Sequence, residues 1–151
     1  MFLLHRLPRE PSAPRIALWR ALRRFGAHVL GDGLVALPAS ARTIEHLEWL
    51  AAGIEEQGGS ASVWLAQPAS KVVGDRLVEE ATAAIDTEYR AVARDAESAA
   101  TMDAGPKRRA LRRLRGELHR IASRDYHGSP SAADARRRVD RLAEQEVEVS
   151  T

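Results

Sequence analysis

Ala27-His28-Val29-Leu30-Gly31-Asp32-Gly33-Leu34-Val35-Ala36-Leu37-Pro38 is the stretch that decides how the first half of this chain folds. Two short apolar runs, 27–30 and 34–37, flank Asp32-Gly33. An Asp-Gly pair accepts the positive φ that a tight hairpin turn demands. Pro38 then ends the second run, because it has no N–H to give to a strand ladder. The reading is a β-hairpin.

Outward from the hairpin, each side repeats one pattern. Upstream, residues 2–7 read as a strand closed by Pro8, and a helix follows from Ser12 to about Phe25, with Pro14 in its first turn and Gly26 as its stop. Its expected buried face holds Leu18, Trp19, Ala21, Leu22 and Phe25, with Arg20, Arg23 and Arg24 opposite. Downstream, Ser40 or Thr43 caps a helix to about Gln57 with an Ile44, Leu47, Leu50, Ala51, Ile54 stripe, and Trp49 lies off that stripe. Residues 61–66 form a last strand closed by Pro68, with Trp64 expected to pack. Strand, helix, strand, strand, helix, strand in under 70 residues is a split βαβ, or ferredoxin-like, unit. Right-handed crossovers lay both helices on one sheet face, so the other face needs a cover.

The remainder reads as helical. A helix over 72–100 aligns Val78, Ala81, Ile85, Tyr89 and Val92; Asp103 to Pro106 breaks it. A second helix over 107–124 carries Leu111, Leu114, Leu118 and Ile121 at helical spacing. A loop at 125–130 leads to a third helix from Ser131 or Ala132 to about Glu144, with Val139 and Leu142 inward and the terminal residues frayed. The expected fold class is therefore α+β: a ferredoxin-like βαββαβ domain over residues 1–69, and a C-terminal three-helix extension over 70–151 packed on it.

Composition narrows the functional classes. A chain of 151 residues buries roughly 68–70% of its unfolded surface and folds without staples. Cysteine is absent, which excludes disulfides, thiolate metal sites and thiol nucleophiles. No apolar stretch approaches the roughly 20 residues of a membrane span, and Met1 to Leu4 is too short for a signal-peptide core, so a cytoplasmic protein is expected. His5, His28, His46, His119 and His127 share no ligand-type spacing, and no zinc-protease HExxH, nucleophile-elbow GxSxG, phosphate-loop or dinucleotide-binding GxGxxG motif occurs. No catalytic residue, metal site or cofactor is expected, and the chain reads as a non-enzyme. Small ferredoxin-like nucleases of CRISPR systems place a metal-binding Asp at the end of the first strand, where this chain has Arg6-Leu7-Pro8.

The charge is arranged in blocks behind a total of +2. Residues 1–30 carry +5 and residues 105–127 carry +6, while 31–70 and 71–104 each carry −4. Of the 23 basic residues, 21 are Arg, whose planar fork matches two phosphate oxygens. Lys107, Arg108, Arg109, Arg112, Arg113 and Arg115, with Arg120 beyond them, surround the leucine stripe of the second C-terminal helix. Arg15, Arg20, Arg23 and Arg24 could extend a phosphate-binding surface. Two uses compete: contact with an outside polyanion such as duplex DNA, or pairing with the acidic helix that precedes the basic one.

Two groups of residues carry a resemblance. The first is Leu4-His5-Arg6-Leu7-Pro8, with Arg15 to Gly26 and Leu30 to Pro38; the second is Arg109 to Arg115, followed by Ile121 to Tyr126 and a Gly-Ser-Pro turn. Together they resemble the N-terminal region of the ChrB family of chromate-resistance regulators. The first group alone is also similar to the central domain of PaaX-type repressors. The resemblance implies a bacterial transcription regulator of a chromate efflux operon, with chromate as effector and promoter DNA as partner. It also implies a further C-terminal domain in full-length members that this chain does not include. No helix-turn-helix pair is evident. A homodimer is expected, because an open sheet edge invites pairing and promoter sites are often two-fold. Two other readings stand beside this one: a protein-interaction module without DNA, and an oxyanion sensor holding chromate through Arg or His.

Overall fold

The computed structural model of the protein describes residues 1–149, and the side chains of residues 1–145. Elements follow in the order β1 (Phe2–Arg6), α1 (Ala13–Phe25), β2 (His28–Gly31), β3 (Leu34–Ala36), α2 (Ala41–Glu56), β4 (Ser60–Trp64), α3 (Lys71–Ala100), α4 (Ala104–Ala122) and α5 (Ala132–Val149). The fold class is α+β, with one four-stranded antiparallel sheet and five helices. The chain divides into two compact units, Met1–Gly74 and the residues from Asp75 onward.

In the first unit the sheet runs β2-β3-β1-β4, every neighbour antiparallel, so β1 lies inside and is paired on both edges. Leu3 faces Val35 on one side and Val63 on the other. Cross-strand partners share a sheet face, and Leu3 and Val35 are almost wholly buried. Helix α2 lies against β1 and β4, and α1 against α2. Their buried residues are Leu18, Ala21 and Leu22 from α1, and Leu47, Leu50 and Ile54 from α2. Phe25 stacks on His46 at 4.1 Å between ring centroids, joining the two helices.

Local chemistry explains the boundaries. Gly33 holds φ at +77°, and a Cβ there would stand 2.2 Å from the His5 carbonyl oxygen; the His5 N–H donates back to the Gly33 carbonyl at 2.7 Å. Only glycine permits that approach. Helix α1 ends on Gly26 in the left-handed region, and the next N–H, of Ala27, donates to the Leu22 carbonyl. At the start of α2 both sequence candidates serve. The Ser40 hydroxyl accepts from the Thr43 N–H at 3.2 Å, and the Ser40 N–H donates to Thr43 Oγ1 at 2.9 Å. This is a reciprocal capping box.

Several expectations are corrected. Trp19 was placed on the buried face of α1, yet it is 53% exposed, and Trp64, expected to pack, is 58% exposed. Trp19 is one residue past Leu18, about 100° around the helix, which carries its indole off the apolar stripe. The Arg23 guanidinium sits over its ring at 4.9 Å. Trp64 alternates with Val63 and so points to the face opposite Leu3, where its indole N–H donates to Ser62 at 2.8 Å. Leu4, on that same face, is 50% exposed.

The second unit is built from α3, α4 and α5. Ile85, Tyr89, Val92, Ala93, Ala96 and Ala99 of α3 meet Leu111, Leu114 and Ile121 of α4 and Ala135, Val139 and Leu142 of α5 in one core. Val78, expected in the α3 stripe, is exposed; burial in α3 begins later, at Ile85. The break between α3 and α4 is shorter than expected. Pro106 falls in the first turn of α4, where no N–H is needed, and does not break it. Helix α5 continues past Glu144 to Val149; the frayed end was expected in terminal residues of which 150 and 151 lie outside the described ones. Polar bolts add to the core. Buried Asp86 accepts from the Ser129 hydroxyl at 2.7 Å and the Ser131 N–H at 2.9 Å, and pairs with Arg90 at 2.7 Å. Glu88 takes a two-pronged bond from Arg124. Together they pin the loop before α5 onto α3.

Candidate nucleic-acid interface

Helix α4 positions the basic block by its period. With Leu111, Leu114 and Ile121 buried, a rotation of about 100° per residue sets Arg109, Arg112, Arg113 and Arg120 on the opposite side, with Arg108 and Arg115 at its flanks. All six arginines are exposed, and Lys107 is half-buried. Arg109 to Arg120 spans about 16 Å of helix axis. The sequence thus brings one continuous guanidinium stripe to the surface of the second unit.

The competing use, neutralisation by α3, can now be resolved residue by residue. The α3 carboxylates are held mainly by arginines outside this stripe: Asp86 by Arg90, Glu88 by Arg124, and Glu97 by Arg138. From the stripe, Arg113 is taken, bonded to Asp95 at 3.0 Å and to Glu117 at 2.9 Å. Those two carboxylates, Asp95 first, raise its pKa further above the ordinary guanidinium value. Among the described residues, Arg109, Arg112, Arg115 and Arg120 form no ion pair. The first turn of α4 also contains no acidic residue, while Lys107, Arg108 and Arg109 follow directly. Positive charge near a helix N-terminus opposes the helix dipole, so this placement does not serve the helix.

The α1 arginines divide. Arg23 and Arg24 occupy the last turn, where cations suit the dipole, and lie over Trp19 and Phe25. Arg15 and Arg20 line an open cleft of about 1270 Å³ in the first unit, together with Arg6 and Arg9. Reading the sequence alone missed this cleft, because its walls come from separate strands and a helix. His5 also lines it, and burial holds its imidazole below the ordinary histidine pKa. A helix-period reading of basic residues finds stripes; it does not find clefts assembled across elements.

Among the described residues, no group of three His, Asp or Glu side chains gathers as a metal site, and no helix is long and apolar enough to cross a membrane. Neither a curated protein nor a solved structure matches the chain. One family does, described as Protein ChrB, N-terminal, over residues 15–150. That match takes in α1, the hairpin, α2, β4 and the whole basic helix, and leaves out only β1 among the elements. The chain belongs to the ChrB N-terminal family.

Proposed function

We propose that this protein is a non-catalytic, DNA-associated regulator of chromate resistance that uses α4 to grip duplex phosphates. One observation carries the reading: Arg109, Arg112, Arg115 and Arg120 stand exposed without ion pairs among the described residues, while Asp86, Glu88 and Glu97 are held by arginines outside the stripe and Asp95 and Glu117 by Arg113 alone. Unpaired guanidinium groups on one helix face suit phosphate oxygens, and each phosphate neutralised releases counterions. Such contacts position a protein on DNA without reading bases. Arg108 and Lys107 stand beside the grip on α4, and Arg113 is shared with Asp95 and Glu117; Arg23 and Arg24, in the first unit, are a separate expectation for phosphate contact.

Family membership supports the regulatory role; chromate as effector and a cytoplasmic location belong to the same proposal. The element order and the strand order β2-β3-β1-β4 support reading the first unit as ferredoxin-like. The outer strands β2 and β4 leave edges that would serve a homodimer on a two-fold promoter site.

The test is anisotropy of a labelled duplex at 50 and 200 mM salt. Four neutralised phosphates predict an affinity loss on the order of 100-fold across that range. Salt-independent or undetectable binding at low salt sinks the DNA reading. The exposure of Trp49 and Leu65 in the first unit would then favour a protein-interaction module.

A further inference from the structure

The cleft of the first unit has a composition that phosphate contact by α4 does not use. It is walled by α1 on one side and by β1, the β2–β3 turn and β4 on the other. Four guanidinium groups line it, from Arg6, Arg9, Arg15 and Arg20, against one carboxylate, Asp32. Among the described residues, none of these four arginines has an ion pair. Trp19 also lines the cleft, half exposed, with Arg23 over its ring. At about 1270 Å³ the open space far exceeds a single tetrahedral anion and is larger than the roughly 300–1,000 Å³ of ordinary organic-ligand sites, so a small organic ligand fits within it. Unpaired arginines recognise phosphate, and an exposed indole recognises a planar ring.

We propose that this cleft binds a small nucleotide-type molecule, with its phosphates on Arg6, Arg9, Arg15 and Arg20 and its ring against Trp19. The site is in the first unit and does not rest on the DNA reading of α4.

The test uses the full chain carrying Trp49→Phe and Trp64→Phe, so that Trp19 is the sole indole reporter. Both replaced residues are exposed, and a thermal melt verifies that the fold is kept. Adenosine diphosphate, inorganic phosphate and adenosine are titrated separately. Adenosine diphosphate is expected to change Trp19 emission saturably and to bind more tightly than either fragment. Arg15→Gln and Arg20→Gln, both at exposed helix positions, are each expected to weaken it about tenfold, the loss of one charge-assisted contact. Three results would each overturn the proposal. These are no saturable response, a response equal to that of inorganic phosphate (an oxyanion site without ring recognition), or an affinity unchanged in both variants. Displacement of the nucleotide by a duplex that itself perturbs Trp19 equally would assign the cleft to the DNA surface and overturn it too.

Discussion

The two units spend their charges and apolar side chains in opposite ways. In the helical unit, acid and base are matched inside the chain: Asp86, Glu88, Asp95 and Glu97 each hold an arginine, and the apolar residues from Ile85 to Leu142 close over one another. In the sheet unit, Arg6, Arg9, Arg15 and Arg20 line an open cleft, and Trp19, Trp49 and Trp64 all face solvent. The pairs of Glu88 with Arg124, Asp95 with Arg113 and Glu97 with Arg138 tie elements together, whereas unpaired cations and exposed indoles are available to something outside. The α4 stripe is the exception in the helical unit. It lies on the far side of a helix whose near side is core, and apart from Arg113 its Arg109, Arg112, Arg115 and Arg120 form no ion pair among the described residues.

Leu114 is wholly buried in the helical core, and Leu114→Ala should cost roughly 3 kcal/mol through lost burial and an unfilled cavity. Denaturant unfolding followed by far-ultraviolet circular dichroism checks it; a loss below about 1 kcal/mol would mean that this core is loosely packed.

Asp86→Ala should cost about 2 kcal/mol, because the Ser129 hydroxyl and Ser131 N–H lose their acceptor. The same carboxylate predicts a pH dependence. Hydrogen bonds from Ser129 and Ser131, with help from Arg90, hold its pKa down to about 2, against 3.8 for the free group. A depressed folded-state pKa means that its contribution is complete above about pH 4 and is lost as pH falls toward 2. Unfolding midpoints measured across that window should drop for the parent chain and drop less for Asp86→Ala. Parallel curves would remove Asp86 from the account.

Arg109→Ala combined with Arg112→Ala should weaken duplex binding about tenfold and lower the log–log salt slope by about 2, one per lost phosphate contact. Arg113→Ala, whose guanidinium is already held by Asp95 and Glu117, should do less. Equal losses from the two would show that the internal pairs do not compete with phosphate. The smallest effect belongs to Trp64→Ser. At an exposed strand position it should change stability by no more than about 0.5 kcal/mol. A larger thermal shift would mean that the open sheet face is covered in solution.

Much of the fold was legible because local rules wrote it. Asp32-Gly33, Gly26 and Ser40 with Thr43 each dictate a backbone geometry from neighbouring residues alone. The Leu111, Leu114, Ile121 spacing likewise announced both the buried side of α4 and, by subtraction, its arginine stripe. Trp19 was misread because it sits at the margin of its helix stripe, where a large apolar residue can turn either way. Pro106 was read as a breaker because sequence does not show that it falls in a first turn.

The order of elements, the hairpin and the placement of the arginines on α4 followed from the sequence by itself, since they depend on residues within a turn or two of each other. Which carboxylate holds which arginine, and the gathering of Arg6, Arg9, Arg15 and Arg20 around one cleft, were decided only by tertiary structure. Asp86 and Ser129 are 43 residues apart and meet only because α3 and the loop before α5 pack together. No periodicity in the chain encodes a contact at that separation.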